Sequence, residues 1–215
     1  MNYRAINPRS DEDIKKYFEL IKGLSDYCGD LQVFDDEKIK WARFHMGAIE
    51  YCDKFKNEPL HPLEENADEF AFVCEDEGEF VGYIDIATYH VENGERAEDD
   101  IGMLHDIYVL DDYRNGDIAY NLLQIAVDKL LECGKNKAIC NVQADNPNRF
   151  LHFAMADNNI IKESECKRRN GSKTIDYTLL IDLKKLKDMS LLDLAKKTAK
   201  IKRLYKEKII QEKAN

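Results

Sequence analysis

Between Ile101 and Gly134 the sequence IGMLHDIYVLDDYRNGDIAYNLLQIAVDKLLECG joins a β-like run, a polar turn carrying Arg114 and Gly116, and a run of helical periodicity. That succession is the layout of an anion site. A helix start presents unpaired N–H groups and partial positive charge, and a glycine-bearing turn before it lets the backbone approach a phosphate closely. Pyrophosphate is the natural ligand of such a turn. Along the strand, period-two alternation puts His105, Ile107 and Val109 on one face, with His105 about 6–7 Å from Ile107 and Asp106 on the other face. A histidine, with an ordinary pKa of about 6.5, is a serviceable base near neutrality. The reading in which His105 is simply hydrogen-bonded within the sheet stands beside that one.

Periodicity supplies the elements that must position these residues. A first helix, opened by the Ser10/Asp13 capping pattern, carries Ile14, Phe18 and Ile21 and runs to about Gly23. A second starts near Asp36, places Ile39, Ala42, Met46 and Ile49 on one face and frays over Tyr51 to Phe55; the two prolines of Asn57–Asn66 mark a loop. Glu69–Cys74 and Glu79–His90 read as a hairpin around Glu75–Gly78, and Glu92–Asp100 as a loop before the strand Ile101–Leu110. The helix from about Gly116 to Cys133 has Ala119, Leu122, Leu123, Ala126 and Leu130 on one stripe and Gly134 as its stop. A strand at Ala138–Val142, a short helix at Asn146–Asn158, and a hairpin of Ile160–Cys166 with Thr174–Leu183 around Asn170-Gly171 complete the pattern. Past Leu183 a basic amphipathic helix is expected from about Ser190 to Glu212, with Leu191, Leu194, Ile201 and Tyr205 on its stripe.

The 215 residues, 44% hydrophobic and 34% charged, suit one α/β core and exclude a disordered or fibrous chain. Net charge is −10, but residues 183–215 hold eleven Lys/Arg against four Asp/Glu, leaving the remainder at −17. So acidic a body does not suit nucleic acid as the main partner and would attract a cationic substrate such as an amine. No apolar run long enough to span a bilayer and no signal-peptide core is read, which sets the expectation of a cytoplasmic protein without a membrane partner. The six scattered cysteines lack zinc spacing and read as reduced thiols.

Ile107-Tyr108-Val109 followed by Arg114 to Ala119 resembles, without a gap, the β4 strand and R-x-x-G-x-G/A turn of the GNAT N-acetyltransferase superfamily. Val142, Asn146 and the short helix after them are similar to the family's next strand and motif, so the resemblance covers roughly residues 3–183. It implies an α/β (α+β) domain over residues 1–183, with a central mixed, mostly antiparallel sheet flanked by helices, and residues 184–215 form a C-terminal helical extension outside it. It also implies acetyl-CoA as co-substrate, with no metal. Ile107, Tyr108 and Val109 would hold the pantetheine arm, and Arg114, Asn115, Gly116, Asp117, Ile118 and Ala119 the phosphates, with Asn146 and Phe153 further along the cofactor. The backbone N–H of Ile107 would face the oxyanion, and His105 sits where the serotonin N-acetyltransferase branch has its histidine.

Two positions depart from the family pattern. Asp117 stands where the family has glycine, and a carboxylate at a helix start competes for the N–H groups that would bind phosphate. The alternative is therefore a non-catalytic GNAT-fold binding protein with a degenerate turn. Phe153 stands where many members have a tyrosine that protonates the leaving thiolate, and His152, one residue away on a helix, would point elsewhere. A thiol of pKa about 8.5 leaves tolerably unaided.

The expected activity is direct transfer of an acetyl group to a primary amine, small or on a protein or peptide, with no cysteine on the Ile107 face to carry it covalently. An acyl-CoA enzyme acting on another nucleophile is the third reading. Asp85, Tyr89 and His90 read as edge residues or as amine-pocket lining, and Trp41 and Tyr51 as packing. The terminal helix permits docking on the domain, a homodimer arm or an anionic contact.

Overall fold

The computed structural model describes residues 1–28, 36–48, 67–92, 95–97, 99–114, 116–167 and 172–214. The expectations for Asn115, for Ile49 and the Tyr51–Phe55 helix end, for the Asn57–Asn66 loop and for the Asn170-Gly171 turn lie outside the described residues. In chain order the elements are β1 (Asn2–Ala5), α1 (Asp11–Cys28), α2 (Asp36–His45), β2 (Glu69–Asp76), β3 (Glu79–Ala87), β4 (His90–Glu92), β5 (Glu95–Ala97) and β6 (Ile101–Val109). Then follow α3 (Ile118–Glu132), β7 (Lys137–Gln143), α4 (Arg149–Met155), β8 (Ile160–Lys167), β9 (Lys173–Asp182), α5 (Leu183–Lys187) and α6 (Leu191–Ala214).

Local chemistry explains several boundaries. The Ser10 hydroxyl accepts from the Asp13 N–H at 3.2 Å, which starts α1 as anticipated, but the helix runs past Gly23 to Cys28. α2 stops at His45, earlier than its apolar spacing suggests, because the chain turns through Gly47 at φ 72°. Glu77 and Gly78 both have positive φ, 51° and 88°, the geometry of a two-residue turn whose twist matches the β2–β3 hairpin. Glu92–Asp100, expected to be loop, contains β5 paired antiparallel with β4. Gly134 ends α3 at φ 78°.

Seven strands form one mixed sheet in the order β1-β2-β3-β6-β7-β9-β8, antiparallel except at β6–β7. One core lies where α3, α4 and α5 cover the sheet, with Leu122, Ala126, Val127 and Leu130 fully buried; each of the leucines and the valine contributes roughly 1.5–3 kcal/mol. A smaller core on α1's side joins Ile14, Tyr17 and Leu20 to Val73 and Tyr83. α6 lies against α4 through Leu194, Ile201 and Tyr205, while Leu191 is exposed and stands off the expected stripe. Among the described residues no helix is long and apolar enough to cross a membrane.

The parallel β6–β7 ladder holds only from Ile101 to Leu104 against Lys137 to Cys140. Beyond it β6 stays with β3 and β7 stays with β9, so the two strands part and a wedge opens in mid-sheet.

Candidate active site

A cleft of about 270 Å³ occupies that wedge. β6 contributes His105, Asp106, Ile107, Tyr108 and Val109; the turn and the start of α3 contribute Tyr113, Arg114, Gly116, Ile118 and Ala119. The opposite wall is Asn141 of β7 with Asn146, Asn148, Leu151 and His152 at and on α4, and Leu24 of α1 also reaches in. Nine of the residues named from the sequence thus share one cavity. Asp117 and Phe153 are not among its lining residues.

The face assignment along β6 is overturned by a β-bulge. Ile84 pairs with Ile107 and Ile86 with Leu104, so Asp85 alone opposes both His105 and Asp106. Alternation breaks there, and His105 and Asp106 both border the cleft instead of pointing to opposite faces. The Asp106 N–H donates to Asp85 Oδ1 at 2.8 Å, and the Tyr17 hydroxyl donates to Asp85 Oδ2 at 2.9 Å. Burial pushes the Asp85 carboxyl up to about 7 against the pull of these two hydrogen bonds. Asp106 is open to the cleft yet crowded by protein elsewhere, and desolvation, reinforced by the Asp85 charge, pushes it up to about 7 as well. The His105 Nε2 is buried and has no hydrogen-bond partner among the described residues, which runs against the satisfied-sheet reading.

Behind the bulge lies a buried polar network. The Tyr89 hydroxyl donates to Glu69 Oε1 at 2.6 Å, and burial raises the Glu69 pKa. His45 Nδ1 lies 2.9 Å from Asp68 Oδ1, and Arg96 pairs with the same carboxylate while its guanidinium stacks 4.1 Å over the Tyr89 ring. Burial works to raise Asp68, but the bonds from His45 and Arg96 outweigh it and hold the carboxyl below its ordinary pKa. Tyr89 and His90 are 9% and 4% exposed, His90 in the two-stranded β4–β5 sheet, and neither is among the cleft's lining residues.

The turn is fastened by Arg114, whose Nε donates to the Val109 carbonyl at 2.8 Å and whose Nη1 lies 2.7 Å from Asp111 Oδ1. Its guanidinium sits 5.3 Å from the Tyr108 ring centroid. Asp117 occupies the N-cap position of α3 at φ −96°, but its side chain makes no capping hydrogen bond and is exposed. The expected competition with an anion for the helix N–H groups is therefore absent from this geometry. A Cβ added at Gly116 would meet only the Tyr113 carbonyl, 4.0 Å away, so the protein's own packing does not demand glycine there.

On α4 the sequence reading is reversed. Phe153 is 3% exposed and packs edge-to-face against Tyr177 at 5.3 Å and Phe150 at 6.2 Å, inside the core. His152 borders the cleft, its Nδ1 donating to the Asn148 carbonyl at 3.1 Å, and burial lowers its pKa. The signal was present: Phe150, Phe153 and Ala154 form an i, i+3, i+4 apolar stripe, which turns Phe153 inward and leaves His152 for the cavity. Asn141, Asn148 and Asp106 were also missed, the first two because nothing in their spacing distinguishes them from surface amides.

The cleft presents two features to a ligand, an unpaired strand edge and an uncapped helix start. Beyond Leu104, β6 has no strand partner on its β7 side among the described residues, and a ligand can pair with that backbone as a strand would. The start of α3 offers N–H groups without a side-chain cap.

The family model described as Acetyltransferase (GNAT) family matches residues 36–152. No curated protein sequence matches the chain. Among solved structures, a putative acetyltransferase from Salmonella typhimurium with its cofactor acetyl-CoA aligns at TM-score 0.60 and 14% identity, covering 85% of this chain and 94% of that one. An N-acetyltransferase from Staphylococcus aureus Mu50 aligns at TM-score 0.59 and 16% identity over 85% and 98%. The NatC complex bound to Gag peptide and CoA aligns at TM-score 0.53 and 16% identity over 84% and 97%. At such identities the likeness is one of fold, and it agrees with the family match, which spans more than half of the sequence: the chain belongs to the GNAT acetyltransferase family.

Proposed function

We propose that the protein moves the acetyl group of acetyl-CoA directly to a primary amine. The observation that carries this reading is the meeting, in one cleft, of the β6–β7 wedge, the uncapped start of α3 and His105, whose buried Nε2 has no partner among the described residues. Unpaired β6 backbone beside Ile107, Tyr108 and Val109 would hold the pantetheine amides. N–H groups at Gly116, Ile118 and Ala119 would hold the pyrophosphate, and Arg114 adds a fixed positive charge beside it. Asn146 lies on the far wall, and Phe153 contributes only by packing α4 in place.

An amine must be neutral to attack. His105 would take its proton through Nε2, directly or by way of a water, with Asp106 beside it as an alternative acceptor. Asp106 lines this end of the cleft beside His105, and the chain outside residues 183–215 carries −17, which suits an amine that arrives as a cation. The acceptor is a small amine or the amine of a peptide. A covalent acetyl-cysteine route has little support, because Cys140 is buried and its thiol is pushed up to about 12 by burial, far from a reactive thiolate.

Calorimetric titration of acetyl-CoA and CoA into the purified protein is the first test, followed by a panel of primary amines and short peptides read by thiol release. Micromolar binding and release with at least one amine are expected. Absence of CoA binding would instead support the non-catalytic alternative, although the mechanism that motivated it, capping of α3 by the Asp117 carboxylate, is not what the turn displays.

A further inference from the structure

We propose that His152 is a second catalytic residue of the cleft, handing a proton from Nε2 to the departing CoA sulfur. The proposal rests on the acetyl-transfer reading and deepens it. In that reaction the amine nitrogen bonds to the thioester carbonyl carbon, the C–S bond breaks, and its electron pair leaves with sulfur. The nitrogen must lose a proton and the sulfur must gain one, so two proton-handling sites on different sides of the acetyl group serve the chemistry better than one.

The cleft has that arrangement. Its β6 wall holds His105, Asp106 and Tyr108, and its opposite wall holds three asparagines, a leucine and His152. Amides cannot release a proton at neutral pH, so among the described residues of that wall His152 is the one able to do so. On the turn, Arg114 stays protonated and is tied to Asp111, and the Tyr113 hydroxyl is engaged with Asp76 at 3.1 Å.

The tautomer is also settled by geometry. A carbonyl only accepts, so the contact of 3.1 Å between His152 Nδ1 and the Asn148 oxygen puts a hydrogen on Nδ1. Nε2 is then the ring atom that gains and loses a proton. An imidazolium is a stronger acid than a thiol, so transfer of its proton to a departing thiolate is downhill. Burial lowers the His152 pKa, so its imidazolium is the minor form near neutrality and a stronger acid whenever it forms. Afterwards the neutral ring recovers a proton from solvent or, through water, from the His105 that accepted the one lost by the amine.

The test compares CoA with desulfo-CoA, which lacks the sulfur, in the native protein and in His152→Gln. In the native protein CoA is expected to bind about 5–10-fold more tightly than desulfo-CoA, the worth of about one hydrogen bond to a charged or polarised group. That ratio should fall toward one in His152→Gln, with the affinity for desulfo-CoA unchanged. A readout without substitution accompanies it: CoA, but not desulfo-CoA, should shift the His152 ring nitrogens in 15N spectra of the native protein. With an amine accepted by the native enzyme, kcat of His152→Gln should drop at least 10-fold at unchanged KM for acetyl-CoA. Equal CoA/desulfo-CoA ratios in the two proteins, or ring signals indifferent to the sulfur, would overturn the role of His152 while leaving acetyl transfer intact. No CoA binding by the native protein would overturn both.

Discussion

The main-chain N–H of Asp106 donates to the carboxylate of Asp85 on the neighbouring strand, 2.8 Å away, and so fixes the bulge that brings His105 and Asp106 to the same cleft. Asp85 also receives the Tyr17 hydroxyl, which ties the bulge to α1. Replacing Asp85 by leucine would strand both donors, at a cost of roughly 2–5 kcal/mol by chemical denaturation, whereas Asp85→Asn keeps an acceptor for the bulge and should fold. In the folded chain both carboxyls hold their proton up to about pH 7. An unfolded aspartate loses it near 3.9, so the folded state binds the extra protons between roughly pH 4 and 7. Their contribution to stability is complete below pH 4 and is lost as pH rises through 7. The melting temperature of Asp85→Asn and Asp106→Asn should therefore fall less between pH 5 and pH 8 than that of the native protein; equal falls would show that neither carboxyl is held protonated.

His105 and Asp106 compete for the part of base, and their variants separate them. If the unpartnered Nε2 of His105 accepts the amine proton, His105→Gln lowers kcat by about 10²–10⁴-fold with little change in acetyl-CoA affinity. Asp106→Asn should then cost much less in kcat. The reverse order, read from initial rates with the first accepted amine, would move the role to Asp106.

The two glycines that flank this chemistry should behave oppositely. A Cβ on Gly102 would come within 2.7 Å of Leu130 Cδ2 and 2.9 Å of the Ala87 carbonyl, so Gly102→Ala is expected to destabilise the fold by about 1–3 kcal/mol. Gly116 has room and no positive φ, so Gly116→Val should leave the denaturation midpoint near native while weakening CoA at least severalfold, because the branched side chain stands where phosphate would approach. Asp117→Asn removes a nearby negative charge that caps nothing, and CoA should bind about 2–5-fold more tightly at low salt, an advantage that shrinks as salt is added. Calorimetry and urea titration on the three variants check all three outcomes.

The strand, turn and helix were legible in the sequence because each carries a local signal: the apolar run to Val109, the turn at Gly116, the stripe from Ala119 to Leu130. The orientation of His105 and Asp106 was not, since a bulge is a relation to Asp85, 21 residues distant, and period-two counting cannot see the extra residue. β5 escaped for a similar reason. Glu95-Arg96-Ala97 has no alternation of its own and becomes a strand by pairing with β4, with Arg96 drawn inward to Asp68. The wedge between β6 and β7 was not legible, because strand separation has no residue signature.

Phe153 offers the sharpest contrast between motif position and structure. Its place in the motif suggests that Phe153→Tyr would restore an acid and raise the rate. The structure predicts otherwise: the ring is wedged between Phe150 and Tyr177 at 3% exposure, and a hydroxyl added there lies in the apolar core, away from the cleft. The variant should lose about 1–3 kcal/mol of stability for burying a polar group among aromatic rings, with kcat no higher than native. A rate increase at unchanged stability would mean that α4 rotates to carry residue 153 into the cleft when acetyl-CoA binds, and would also displace His152 from the position its chemistry requires.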